Sequence, residues 1–284
     1  MKKAGKLFAG MLCVTVLCGS MATFGGCGGT ETINISGSTS VQEVMTKLAG
    51  EYEKTHNVRI NINGNGSGAG IEDTLNGRND FGMSSRALKE GEAEKLTGKQ
   101  LCVDGIVLAV GKDCKISQVT NEQIYGLFME GTPITENGAT INAGAGREES
   151  SGTREAFDEK IFDGEGKNIK GRTYSGVITK NSSTGLVIDK IRNDSFQRTV
   201  GYLSLGSYLE NTATLKALKF QAYGQTEYVE ATVENVKNSS YKMQRPFVIV
   251  TKMDGTLSGT AQAFYDWLFG EEAGAMIAAS GYVL

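Results

Sequence analysis

The sequence predicts an α/β protein of two lobes. Three observations carry this. Strand and helix patterns alternate along the chain, the strand-to-helix junctions recur as clusters of glycine and hydroxyl residues, and 284 residues with 39% hydrophobic content suffice for one large or two moderate cores. The 38 glycines and two prolines lack triplet spacing, which indicates tight turns and excludes collagen-like, mucin-like and disordered chains.

Residues 32–36 read as a strand, and Val41, Val44, Met45, Leu48, Ala49 and Tyr52 then recur at helical spacing. Val58, Ile60 and Ile62 alternate with polar residues as a second strand, a glycine-rich turn occupies 64–70, and 71–76 reads as helix. A short strand over 81–85, a Lys/Glu-rich helix over 90–96 and the apolar run 106–110 follow. Alternation of this kind predicts a parallel sheet with helices on its faces. A second set comprises helices over 121–128, 153–162 and 185–192 and extended segments over 141–143 and 200–204. Arg245, Pro246 and Phe247 then enter a β-rich FVIVT segment, and two helices, 259–269 and 271–279, close the chain. The expected organisation is a first lobe from 27–110, a second from 111–245, and a return segment, 246–284, to the first.

Ahead of these elements, Lys2, Lys3 and Lys6 precede an apolar run over 7–23 that ends in Phe24, Gly25, Gly26 and Cys27. Basic, then apolar, then small is the layout of an export signal, and the run is short and glycine-broken for a permanent span. Residues 1–26 are therefore expected to be a signal peptide. Cys27 resembles the lipid-accepting cysteine of a bacterial lipoprotein, with Phe24 where that pattern usually has Leu. The resemblance implies an extracytoplasmic protein held at the cell membrane by a lipid anchor carrying fatty acyl chains such as palmitate; an ordinary secretory signal is the alternative. Removal of 1–26 leaves 26 basic against 32 acidic side chains, a balance of −6. Nothing in that balance attracts nucleic acid. The single histidine, His56, removes most histidine-based catalysis and His-rich metal sites, so no metal or cofactor is expected. Cys13 and Cys18 fall within the signal. Cys102 and Cys114 flank the strand-like VDGIVLAV, which holds them too far apart for a disulfide, so two free thiols are predicted.

Three junctions share one chemistry: Ser36, Gly37, Ser38, Thr39 and Ser40; Gly64, Asn65, Gly66, Ser67 and Gly68; and Ser150, Ser151, Gly152 and Thr153. Each opens a helix whose first N–H groups have no internal acceptor and whose macrodipole places about half a positive charge there, while hydroxyls add adjustable donors. Taken singly, each cluster could be no more than an N-cap. Together they would form an oxyanion cage, and Arg147, a few residues upstream of the third, adds a fork of charged donors. Glu149 is expected to hold Arg147 by a salt bridge, with Glu148 solvated. The chain has no GxxxxGK[ST] loop, no GxGxxG spacing at 64–70 and no GxSxG context around Ser38, Ser67 or Ser151, which argues against nucleotide-binding and serine-hydrolase readings.

GSTS at 37–40, GNGSGAGI at 64–71, DFGMSSR at 80–86 and REESSGTREAF at 147–157 together resemble the PstS family, the phosphate-binding proteins of bacterial ABC phosphate importers, from about Ile33 to the C-terminus. The resemblance implies a type II-like periplasmic-binding-protein fold that captures inorganic phosphate between its lobes and delivers it to a membrane permease, as a monomer and without catalysis. By position, Ser38 and Thr39 match the first phosphate-contacting loop, Ser67 the second, and Arg147, Ser151, Gly152 and Thr153 the third. Glu149 stands where the family commonly has the Asp that pairs with this Arg. Ser85 occupies the place where well-known members carry an Asp that accepts the proton of hydrogen phosphate, and a serine hydroxyl can accept or donate. The competing readings are a receptor for sulfate, molybdate or another tetrahedral oxyanion, a secreted phosphatase-type enzyme, and a lipoprotein acting as an adhesin or signalling partner.

Overall fold

The structure, a computed structural model, describes residues 30–284; the signal segment and Cys27 lie outside the described residues. Strand β1 (Glu31–Gly37) leads into helix α1 (Thr39–Thr55), then β2 (Val58–Asn63), α2 (Ser67–Leu75) and β3 (Phe81–Ser84). β1 pairs in parallel with both β2 and β3. α1 buries Val41, Val44, Met45, Leu48, Ala49 and Tyr52, the stripe its spacing predicts. Half of the turn predicted over 64–70 is already helix, because α2 begins at Ser67. Gly70 brings α2 so close to β1 that a Cβ there would lie 2.4 Å from Gly37 Cα. That approach places the start of α2 beside the tip of β1.

The helix predicted over 90–96 is one turn, α3 (Glu90–Ala93), since buried Leu96 already opens the long strand β4 (Leu96–Gly111). The chain continues through β5 (Gln118–Thr120) and α4 (Asn121–Tyr125), which passes into a π-helical turn, Gly126–Glu130, ended by left-handed Gly131. The hairpin β6 (Ile134–Glu136) and β7 (Ala139–Ile141) precedes β8 (Ala143–Arg147), α5 (Gly152–Asp158), β9 (Ile178–Asn181) and α6 (Thr184–Arg192). There follow β10 (Thr199–Ser204), α7 (Leu205–Leu209), β11 (Leu215–Ala217), β12 (Lys219–Gln221), α8 (Val233–Lys237), β13 (Gln244–Lys252), α9 (Gly259–Leu268) and α10 (Glu271–Ala279).

The main sheet runs β2-β1-β3-β13-β4-β10-β8-β9, with β11 also on β4. It is mixed, which corrects the parallel sheet predicted from alternation: β13 is antiparallel to β3 and β4, and β4 is antiparallel to β10. The reason is the route of the chain. It leaves the first half along β4 and returns along β13, so the two neighbours run in opposite directions. Up to Gly105, β4 pairs with β13, and from Ile106 it pairs with β10 and β11. The side chains divide at the same place. One core gathers residues from Ile33 to Cys102 with Phe247 to Tyr282, a small separate cluster of Ile71, Leu96, Val248 and Val250 lies in the same half, and the other core gathers Ile106 through Met243. At the crossing Asp104, fully buried, accepts from Arg245 Nε and Nη2 at 3.0 and 2.9 Å and from Ser204 Oγ at 2.7 Å. Cys102 and Cys114 are free and buried. No helix of the described residues is long and apolar enough to cross a membrane.

The halves also touch where α1 meets α7. There Ser207 Oγ donates to Glu43, and Lys47 pairs with Glu210. Burial pushes the Glu43 carboxyl up to about 7 from 4.5, against the Ser207 hydrogen bond. Because the folded value is raised, the stabilisation from its proton is complete below about pH 4.5 and is lost as pH rises through about 7. Glu43→Gln is therefore expected to melt with the wild type at pH 4.5 and to be the more stable protein at pH 8, by an amount on the order of 2–3 kcal/mol. Thermal melts across that range check it; a pH-independent difference would contradict the assignment.

Candidate functional site

The N-termini of four helices meet between the two halves: α1 and α2 from the first, α5 and α6 from the second. Ser38 caps α1, accepting from Val41 N at 3.4 Å, and Ser151 caps α5, accepting from Arg154 N at 3.3 Å. A capping hydroxyl accepts through a lone pair and keeps its own proton to donate, so capping and anion contact are compatible roles. α2 is entered through Gly66 at φ 96 without a side-chain cap, a conformation that suits glycine. Its neighbour Gly68 donates its N–H across the cleft to the Ser150 carbonyl at 3.2 Å.

Hydroxyls from both halves converge. Thr39 Oγ1 lies 3.3 Å from Thr184 Oγ1, and Ser40 Oγ lies 2.9 Å from Thr153 Oγ1 and 3.1 Å from Thr184 Oγ1. Ser67 Oγ lies 3.2 Å from Ser85 Oγ and accepts from Ser85 N at 3.1 Å. Gly152 fits against this second pair so tightly that a Cβ on it would lie 2.4 Å from Ser67 Oγ and 2.8 Å from Ser85 Oγ. Thr39, Ser67 and Thr153 thus belong to one cluster, and Ser38, Thr39, Ser67, Ser85, Ser151 and Thr153 are all buried.

Arg147 ends β8 with 1% of its surface exposed. Its guanidinium is oriented from several sides: Nη2 and Nε donate to Glu148 at 2.9 and 3.0 Å, Nε also to the Asn181 carbonyl at 3.1 Å, and Nη1 to Thr184 Oγ1 at 3.4 Å. The Nη1 edge therefore faces the hydroxyl cluster. The main chain of Arg147 is gripped as well. Its N–H donates to Tyr202 Oη at 2.9 Å, and its carbonyl accepts from Arg154 Nη1 at 3.3 Å. Tyr202 Oη contacts Tyr174 Oη at 3.1 Å, and Tyr174 donates to Asp158 at 2.5 Å, an ordered chain ending on a carboxyl that burial pushes up to about 6.

Two expectations change. Glu149 does not hold Arg147: it is 66% exposed and pairs with Lys180 and with Arg154, and the hydrogen bond from Lys180 brings it down to about 2. Glu148, expected to be solvated, makes the forked pair instead. Of the two adjacent carboxylates, Glu148 takes the Arg147 guanidinium and Glu149 takes Arg154 and Lys180. The sequence reading also passed over Thr184. Its signal was present, since N-S-S-T-G at 181–185 is a fourth hydroxyl and glycine cluster between a strand and a helix.

A mixed sheet shared by two cores, with donor-rich helix ends facing each other across the division, defines a solute-binding protein of the periplasmic-binding-protein class. A family model described as a PBP superfamily domain matches residues 24–272. The phosphate-binding protein PstS of Staphylococcus epidermidis is 24% identical over 295 residues, covering 95% of this chain and 87% of its own length. The solved structure of a putative phosphate ABC transporter substrate-binding protein with bound phosphate from Clostridium perfringens is 30% identical, with a TM-score of 0.76, covering 89% of this chain and 99% of that one. An ABC-type phosphate transport receptor from Vibrio cholerae is 28% identical, with a TM-score of 0.65, over 89% of this chain and 99% of its own. The chain belongs to the PBP superfamily and, within it, to the PstS family.

Proposed function

We propose that this protein is a phosphate receptor that works outside the cytoplasm, closes its two halves over inorganic phosphate and hands the ion to the permease of an ABC importer. The observation that carries this reading is the buried meeting of hydroxyls and helix N-termini from both halves beside the Nη1 edge of Arg147. Ser38, Thr39, Ser67, Ser85, Arg147, Ser151, Gly152 and Thr153 are assigned as phosphate contacts, joined by Ser40 and Thr184 from the same cluster. In the closed form the hydroxyls bond one another, and the oxygens of a tetrahedral anion would take over as their partners. Charge-assisted hydrogen bonds in such a dry setting are about twice as strong as neutral ones, which lets an acidic protein hold an anion by local donors. The ligand favours the closed arrangement because only there do both sets of donors reach it.

The chemistry assigned here is capture and release with no bond broken, so the protein is read as a receptor and not an enzyme. Lipid attachment through Cys27 would hold it at the membrane surface near the permease, as a monomer.

Selectivity follows from Ser67 and Ser85. A carboxylate is acceptor-only and rejects an anion that has no proton to give, whereas a hydroxyl can turn and donate. Phosphate is expected to bind, and sulfate is expected to bind measurably as well, because no acceptor-only carboxylate stands at Ser85 to reject it. Titration calorimetry of phosphate, sulfate and molybdate on residues 28–284 tests this. Tighter binding of sulfate or molybdate would shift the assignment to another oxyanion, and no binding of any of the three would end the receptor reading.

A further inference from the structure

We infer that Arg86 and Glu155 form a charge latch across the mouth of the cleft that sets how slowly the bound anion leaves. The inference rests on the phosphate-receptor reading. Arg86 directly follows Ser85, so one short segment carries both an assigned anion contact and the latch. Its guanidinium is aimed by its own half of the molecule. Nη1 and Nη2 fork onto Glu92 at 2.7 and 2.8 Å, and Nη1 also donates to the Ala87 carbonyl at 2.8 Å. Nε, the remaining edge, lies 2.8 Å from Glu155 Oε2 of the other half, an ion-pair contact.

Glu155 belongs to α5, the helix whose first residues, Gly152 and Thr153, enter the hydroxyl cluster. It meets Arg86 here with that helix end packed against Ser67 and Ser85, so the two contacts are made by one short segment of α5. Lys89, from the same half as Arg86, reaches the same carboxylate oxygen at 3.2 Å, and Lys170 of the second half takes the other at 2.9 Å. The side chains of Arg86 and Glu155 are only 9% and 12% exposed, so water and salt screen their attraction less than at an open surface.

What distinguishes a latch from a lock is the state of the two ends when the halves part. Arg86 keeps Glu92, and Glu155 keeps Lys170. Opening therefore strands no unpaired charge, which would otherwise make release prohibitively costly. The pair biases the molecule toward the closed form by a modest amount without touching the anion. Arg86 and Glu155 are thus positioning residues, and their effect belongs to the rate of departure, since encounter takes place with the halves apart.

The test is stopped-flow phosphate binding and release, with calorimetry, on the wild type, Arg86→Met, Glu155→Gln and the double variant. Glu155→Gln should speed release about 10-fold, Arg86→Met, which leaves the Lys89 contact in place, by less, both with the association rate within about twofold, and the double variant should be no faster than Glu155→Gln alone. Arg86→Lys, which keeps the charge and loses the fork, should fall between the wild type and Arg86→Met. Because Arg86 also braces Glu92 within its own half, Glu155→Gln decides the matter if Arg86→Met folds poorly. Release rates unchanged in variants that still bind phosphate, or effects that simply add in the double variant, overturn the latch alone. A wild type that does not bind phosphate overturns the receptor reading and the latch with it.

Discussion

Arg147→Ala is expected to weaken phosphate binding about 1,000-fold, close to 4 kcal/mol, because it removes a buried charged donor and leaves its partners uncompensated. The magnitude follows from the surroundings. With 1% of Arg147 exposed, its charge acts in a poorly screened setting, and a water entering the vacated space would bring a neutral donor in place of a charged one while Glu148 lost its partner. An exposed arginine paired to a neighbouring glutamate would be worth a fraction of this. Arg147→Lys should recover only part of the loss, since an ammonium cannot fork onto Glu148 while reaching Thr184. Calorimetry gives the affinity, and a thermal melt separates lost binding from lost folding. An unchanged dissociation constant would remove Arg147 from the site.

Gly152→Ala should separate closure from stability. Alanine is a better helix former than glycine, so within α5 alone the change would be neutral or slightly stabilising. Across the cleft it is not tolerated. The new Cβ would lie 2.4 Å from Ser67 Oγ and 2.9 Å from Ser67 Cβ, so turning the Ser67 hydroxyl aside does not relieve the clash, and Ser85 Oγ stands 2.8 Å away on the same side. The expected result is an unaltered melting temperature for the ligand-free protein and a loss of phosphate affinity of roughly 10- to 100-fold, the range that overpacking of one methyl group produces. Full affinity in Gly152→Ala would mean that the bound form does not bring α5 against Ser67 and Ser85 as this structure does.

The two substitutions probe different parts of one arrangement, and those parts differed in how far they could be read from the chain. The α1 stripe and the strand β2 were legible because burial on one face imposes a period that residue types must obey. The junction clusters were legible for a related reason: glycine and small hydroxyl residues concentrate where a helix begins and another group must come close. Thr184 carries the same signal, a hydroxyl and glycine cluster between a strand and a helix, and its place beside Thr39 and Ser40 comes only from the packing of α6 against the start of α1. Glu148 and Glu149 are a different case. Two adjacent carboxylates have the same charge and almost the same reach, and nothing local says which one folds back over Arg147.

The direction of the strands β4 and β13 belongs to that second kind. Alternating strand and helix implies parallel neighbours only while each connection returns to the same edge of the sheet, and here the chain spends residues 106–243 building a second core before it returns. By itself, the sequence determined the local matters: which segments pleat or coil, where donors crowd at helix starts, and which family the motifs resemble. The tertiary structure alone decided which donors face one another, that Gly152 meets Ser67 and that Arg86 meets Glu155, because those contacts join residues from separate halves and no local periodicity records a partner on the other side of a cleft.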